Sequence, residues 1–193
     1  MARPQRAKDT IDNAALTCFA RKGVQGTSNS DIADAAGTTT AALYHFYRNK
    51  EDLVVSLFRR HYHALGADLA HAAAGETAFR DRLAAMIAVA CRLHDTRPDV
   101  FTFLLLTQHD SLPRLEHDPE NPVDVVQGVI AAAISANEVP EQDADAATAA
   151  VFGIVLQTAT FHAYGRLSGH LTPRAGELTR ACLGALNALG EEG

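Results

Sequence analysis

The sequence predicts an all-α protein of about nine helices, with a three-helix helix-turn-helix module at the N-terminus and a larger helical body behind it. Apolar residues recur at three- and four-residue intervals along most of the chain. No segment shows the apolar-polar alternation of a half-buried strand, and no repeat of fixed period is present. Gly or Pro marks the breaks between the periodic stretches, and alanine, the best helix former, is plentiful.

The first helix is carried by Ile11, Ala14, Ala15, Cys18 and Phe19, one amphipathic stripe, with Gly23 placed to end it as a left-handed cap. Ser28 and Asp31 form an S-x-x-D pair, the signature of a capping box, which starts a very short second helix that runs to Ala36 and stops at Gly37. A third short helix is expected from Thr39 to Phe46. Asn49 with Asp52 then caps a long fourth helix through Leu53 and Leu57. Phe79, Leu83, Met86, Ile87, Ala90 and Leu93 mark a fifth, and Pro98 opens a sixth that carries Phe101 to Leu106. The stretch from Asp110 to Asn121, with Pro113 and Pro119, reads as a loop. Pro122 opens a helix that Pro140 closes, a long run from Asp143 to Leu167 is apolar on more than one side, and a last helix spans Pro173 to Leu189.

At 193 residues, 47% hydrophobic and 21% charged, the chain is globular in composition and able to bury a real core. Its net charge of −6 conceals a division. Residues 1–60 carry nine Lys/Arg against six Asp/Glu, and residues 61–193 carry eight against seventeen, so the two stretches sum to +3 and −9. The basic stretch is the one suited to phosphate contact. Cys18, Cys91 and Cys182 are odd in number and lack C-x-x-C spacing, which implies reduced thiols and neither a disulfide framework nor a zinc site. There is no N-terminal apolar run and no unbroken apolar stretch of about 18 residues, so the expectation is a soluble, cytoplasmic protein with no membrane partner.

Within residues 28–46 the spacing carries chemistry. Ala33 is a small residue at a helix crossing, Gly37 follows four residues later where the turn needs positive φ, and Leu43 follows six after that to enter a small core with Ile32 and Ala36. This is the spacing of a helix-turn-helix. A third helix that buries Leu43 and an aromatic from Phe46 or Tyr47 turns Thr40, Ala41, Tyr44 and His45 outward, toward a major groove. Thr and Ala suit thymine methyls, and Tyr and His suit phosphates or base edges. Ser28 and Asn29 are placed for a phosphate, Ser30 for a base edge, and Lys50 brings a point charge to the backbone.

Across residues 6–60 the chain resembles the tetracycline-repressor (TetR) family of bacterial regulators, without a gap. The matching pieces are Phe19-Ala20-Arg21-Lys22-Gly23, Gly26-Thr27-Ser28, Asp31-Ile32-Ala33 with Ala36-Gly37, Ala42-Leu43-Tyr44-His45-Phe46, and Asn49-Lys50-Glu51-Asp52-Leu53. Two departures stand out: Thr38 replaces the apolar residue usual after the turn glycine, and Tyr47-Arg48 alters the segment after Phe46. The resemblance implies phosphate contacts from Tyr44 and Lys50 and base contacts from Thr40, Ala41, Ala42 and His45, with Thr39 beside them. It also implies a homodimer on a double-stranded DNA operator and release by a small-molecule effector.

These features divide the chain into a DNA-binding domain, residues 1–50, and a sensing and dimerising domain, residues 51–193. The last two helices resemble the pair that dimerises such proteins as a four-helix bundle. Gly153, Ala159 and Ala163 permit close approach there, and Phe152, Leu156, Leu183 and Leu186 fill the seam. A ligand pocket enclosed by helices 5 to 8 is expected to mix the apolar walls of Phe101, Phe103 and Leu106 with Gln157, Phe161 and Tyr164. No cofactor and no metal are expected. His61, His63 and His71 lack a shared helical face, no Glu has a His three residues on, and no phosphate loop or nucleophile motif occurs. His94-Asp95 and His109-Asp110 read as helix-end pairs. The alternatives are a ligand-independent DNA-architectural protein and an all-helical enzyme.

Overall fold

The computed structural model describes residues 3–112 and 121–190. Among these it is helical throughout, in the order α1 (Arg3–Lys22), α2 (Asn29–Ala35), α3 (Thr40–Phe46), α4 (Lys50–Ala74), α5 (Phe79–Thr96), α6 (Pro98–Ser111), α7 (Pro122–Ser135), α8 (Ala144–Ala163) and α9 (Ala175–Gly190), with a short 3-10 turn at Thr172–Arg174. The loop expected around Pro113 and Pro119 lies outside the described residues, but its first two positions do not belong to a loop: Asp110 and Ser111 complete α6. Two compact units divide the chain, residues 1–62 with 97–117, and residues 63–96 with 118–193.

In the first unit α1 packs against α6 and α2, and α2 packs against α3. Ile11, Leu16 and Phe19 of α1, Ile32 of α2, Leu43 of α3, Leu53, Leu57 and Phe58 of α4, and Phe103 of α6 make its core. Phe19 stacks on Phe103 with ring centroids 5.7 Å apart. The aromatic that joins Leu43 inside is Tyr47, while Phe46 is half-buried.

The corner between α2 and α3 is closed by the backbone. Gly37 has φ +62°, its N–H donates to Asp34 O at 3.1 Å, and Thr38 N–H donates to Ala33 O at 2.9 Å. That pair of bonds is a Schellman closure, and it places a left-handed residue one position past the helix cap. Ala33 is buried at the crossing.

In the second unit α5, α7, α8 and α9 pack together. Leu83 and Ile87, Val126 and Ile130, Ala147 and Val151, and Leu178, Cys182 and Leu186 line its core. Glu138 caps α5 by accepting from Phe79 N–H at 2.7 Å. Asp95 caps the 3-10 turn by accepting from the N–H groups of Leu171 at 2.9 Å and Thr172 at 2.8 Å. Two helices end earlier than their apolar runs suggest. α7 stops at Ser135 because Asn137 takes φ +56° and Glu138 N–H returns to Ala133 O, and α8 stops at Ala163 because Gly165, at φ +69°, does the same with Arg166 and Phe161. Each is the closure used at Gly37, well short of Pro140 and Gly169.

α8 alone among the described helices is long and apolar enough to cross a bilayer by length and composition. A core helix meets the same test, and Ala147, Val151, Val155 and Ala159 of α8 are buried within this unit.

Two outcomes follow for the first unit. A Cβ at residue 37 meets nothing within 4 Å, so Gly37→Ala carries only the conformational cost of a left-handed L-residue, ~1–2 kcal/mol. Urea unfolding should show that loss, with a smaller one for Gly37→Asn; an unchanged midpoint would contradict the closure. His61 is half-buried with Arg60 Nη2 3.4 Å from its Nε2. Burial first, then the charges of Arg60 and Arg97, pull its pKa from 6.5 down to about 4. The unfolded chain therefore binds this proton before the folded one does. Stability is whole above pH ~6.5 and is lost as the pH falls toward ~4. His61→Asn should flatten the fall in urea midpoint across that window, and an equally steep fall would refute the assignment.

Candidate nucleic-acid interface

The connection that leads into the helix-turn-helix is held by polar groups. Gly26 lies so close to the end of α1 that a Cβ there would sit 2.4 Å from Lys22 O, so a side chain is excluded. The buried Thr27 donates its hydroxyl to Gly23 O at 2.8 Å. Lys50, at the start of α4, donates to Val24 O at 3.0 Å and Thr27 O at 2.9 Å.

The second helix then starts as a full capping box. Ser28 Oγ accepts from Asp31 N–H at 3.1 Å, and Asp31 Oδ2 accepts from Ser28 N–H at 2.8 Å. Lys22 Nζ reaches Asp31 Oδ1 at 2.6 Å. That hydrogen bond, followed by those from Ser28, holds the Asp31 carboxyl well below the usual carboxylate range.

Helix α3 projects from this base. Thr40, Ala41, Tyr44 and His45 are all exposed, Tyr44 at 56%, while Leu43 between them is buried. Ala42 is half-buried at the edge of that face. Tyr44 does not stand alone: its phenolic oxygen accepts from Asn29 Nδ2 at 2.9 Å, which ties the α3 face to the first turn of α2. Both groups keep further hydrogen-bonding capacity, since the amide has a second N–H and the phenol its own O–H. Ser30 is exposed beside them.

Three of the residues expected at DNA are already hydrogen-bonded within the fold. The Ser28 hydroxyl donates to Asp31 Oδ2 at 2.6 Å as well as accepting from its N–H, so its only proton is spent inside the cap. Thr39 is the N-cap of α3, its oxygen accepting from Ala42 N–H at 3.3 Å, and its hydroxyl proton is what it can offer a partner. Lys50 uses two of its three N–H groups on the turn carbonyls, so its first role is to brace the turn and a single N–H is left for a phosphate.

The residues expected to line a ligand pocket divide between the two units. Phe101 and Phe103 are core residues of the first unit. Leu106, 58% exposed, and Phe103 both line a cleft of about 520 Å³ in that unit, together with Phe19, Val54, Val55, Lys50 and Thr107. Gln157, Phe161 and Tyr164 lie on the open side of α8, with Tyr164 at 75% exposure, so within the second unit they enclose nothing.

Of the residues expected at a dimer seam, Gly153 and Ala163 are exposed and Phe152, Leu156 and Leu183 are half-buried. Ala159 and Leu186 are corrections: at 1% and 0% exposure they are already spent on the core of their own unit and present nothing to a partner. No group of three or more His, Cys, Asp or Glu able to hold a metal occurs among the described residues.

Residues 11–57 match the family described as bacterial regulatory proteins, tetR family. The HTH-type transcriptional repressor KstR2 of Mycolicibacterium smegmatis is 36% identical over 58 residues, which are 30% of this chain and 28% of that protein. The HTH-type transcriptional regulator BetI of Brucella anthropi is 36% identical over 87 residues, 45% of this chain and 44% of its own. The matched stretches thus span less than half the length of these curated relatives.

The fold matches over far more of the chain. The regulator FadR of Bacillus subtilis, solved in complex with stearoyl-CoA, superposes with a TM-score of 0.76 at 19% identity, covering 91% of this chain and 97% of that one. A tetR-family regulatory protein from Rhodococcus RHA1 gives 0.77 at 20% identity, covering 96% and 98%. The similarity to the TetR family of bacterial regulatory proteins thus lies in the helix-turn-helix of residues 11–57.

Proposed function

We propose that this chain is a sequence-specific DNA-binding transcriptional regulator, a repressor that grips a palindromic operator as a homodimer and lets go when a small molecule binds. The observation that carries the reading is the solvent-facing row Thr40, Ala41, Tyr44 and His45 on a helix whose opposite side is locked by Leu43 and Tyr47. A major groove admits one helix and offers donors, acceptors and thymine methyls to such side chains. The charge of +3 over residues 1–60 supports phosphate attraction at this end of the chain. Residues 1–50 would serve as the DNA-binding domain and 51–193 as the sensing and dimerising one.

An operator reader of this size needs a second copy, because two recognition helices must enter successive major grooves about 34 Å apart. The open side of α8 supports that pairing. Gly153, Gln157, Phe161 and Tyr164 recur on it at helical spacing, all exposed, with Phe152 and Leu156 half-buried at its edge. Large apolar groups left in the open along a helix call for a partner surface. We assign the seam to this row with Leu183 of α9, in place of the inward Ala159 and Leu186.

Release by a small molecule is supported by the fold it shares with FadR of Bacillus subtilis, which was solved with stearoyl-CoA. The effector of this chain is proposed as a small organic molecule only.

Tyr44→Ala tests the reading at its most exposed point. It removes a phenol that is 56% exposed and whose oxygen accepts from Asn29, so helicity and dimer mass should stay as they are while affinity for the preferred duplex falls about tenfold. Gel-shift titration of wild type and variant against the same duplex measures this. Equal affinity would place the DNA-reading surface elsewhere.

A further inference from the structure

Asp12 breaks the pattern of its helix. It sits next to Ile11 in the apolar stripe of α1, and it is 1% exposed. A carboxylate so far from water persists only where donors replace its hydration. Three do so here. Tyr47 O–H donates to Oδ1 at 2.5 Å, Arg60 Nη1 donates to Oδ2 at 2.6 Å, and Lys8 Nζ donates to the same oxygen at 3.0 Å. Lys8 Nζ also donates to the Tyr47 oxygen at 2.5 Å, so the phenol is held both as donor and as acceptor. Burial, then the hydrogen bond to Asp12 and its charge, push the Tyr47 phenol far up from its ordinary value, so it remains an O–H donor.

The partners come from three elements of one unit. Lys8 is one turn back on α1, Arg60 is on α4, and Tyr47 is the residue at which α3 ends, its N–H closing the last helical turn on Leu43 O at 2.9 Å. Tyr47 thus joins the end of α3, through its backbone, to the Asp12 cluster, through its hydroxyl.

We propose that Asp12 is a positioning residue for operator recognition: by anchoring Tyr47 at the end of α3 against α1 and α4, it sets the direction in which Thr40, Ala41 and Tyr44 face. This rests on the DNA-binding reading above. Asp12 touches no DNA itself, since its carboxylate is covered by the three partners.

Two plainer roles make different predictions. If Asp12 acted only through charge, Asp12→Asn would remove one negative charge from the basic unit and tighten DNA binding. If it acted only on stability, affinity measured well below the melting temperature would stay the same. Positioning predicts weaker binding against the electrostatic trend. It predicts the same for Tyr47→Phe, which keeps both charge and ring. The salt dependence should stay that of wild type, because no phosphate contact is lost.

The experiment titrates wild type, Asp12→Asn and Tyr47→Phe against the duplex that wild type retains best from a random pool, at several salt concentrations. Amide hydrogen exchange of the same three proteins is followed over residues 40–47. Both variants should bind about tenfold more weakly with an unchanged salt slope, and their α3 amides should exchange about tenfold faster while those of α8 do not. Wild-type affinity, or tighter binding by Asp12→Asn, with wild-type exchange in α3 would overturn the proposal. Should Asp12→Asn fail to fold, Tyr47→Phe carries the same comparison. Should wild type prefer no duplex, the DNA reading falls, and α3 exchange in Tyr47→Phe decides the anchor alone: faster exchange sustains it and equal exchange refutes it.

Discussion

A single residue in the left-handed region governs what the rest of this protein can do. Gly37 reverses the chain within one step, and its N–H and that of Thr38 close α2 back on Asp34 and Ala33. Because that turn is so tight, α3 begins only three residues later and lies against α2 over Ile32, Ala33 and Leu43. The opposite side of α3 is then left in solvent, short and stiff. Such a helix can act as a probe, since it has no loop of its own to absorb a misfit.

Polar groups complete the module around this corner. Lys50 and Thr27 hold the turn before α2, Lys22 and Ser28 hold Asp31 at its start, and Asp12 gathers Lys8, Tyr47 and Arg60 behind α3. These are not equal in kind. The Lys22–Asp31 pair is exposed to water and adds little stability. The Asp12 cluster is buried at its carboxylate, where its value lies in selecting one arrangement of three helices over neighbouring ones. Rigidity of the reading head and satisfaction of buried polar groups are here the same property.

What could be read from the sequence follows from how local each signal is. The capping box at Ser28 and Asp31, the stop at Gly37 and the cap at Asn49 each need only three or four neighbouring residues, and each is found in place. The end of α7 was hidden because asparagine closes a helix less often than glycine or proline, so Asn137 carried a weaker signal than Pro140. Helical spacing picked out Ala159 and Leu186 as apolar positions, but spacing cannot say whether an apolar side chain meets its own core or a second copy; both are spent inside. Asp12 was invisible for a related reason. Its partners Tyr47 and Arg60 are 35 and 48 residues away in sequence, and only the folded packing brings them together. The oddity of Tyr47 was visible, but its meaning was not.

The central claim is that a short helix, oriented by a glycine turn and a buried carboxylate, reads base pairs as one half of a symmetric pair. The most direct measurement is to sequence the fragments this protein retains from random duplex DNA through successive rounds at physiological salt. The account predicts convergence on an inverted repeat whose half-site centres lie one helical turn or a multiple of it apart, about 34 Å per turn, enriched on the order of a thousandfold or more over bulk DNA. Retention that fades with salt and never converges on a sequence would contradict it.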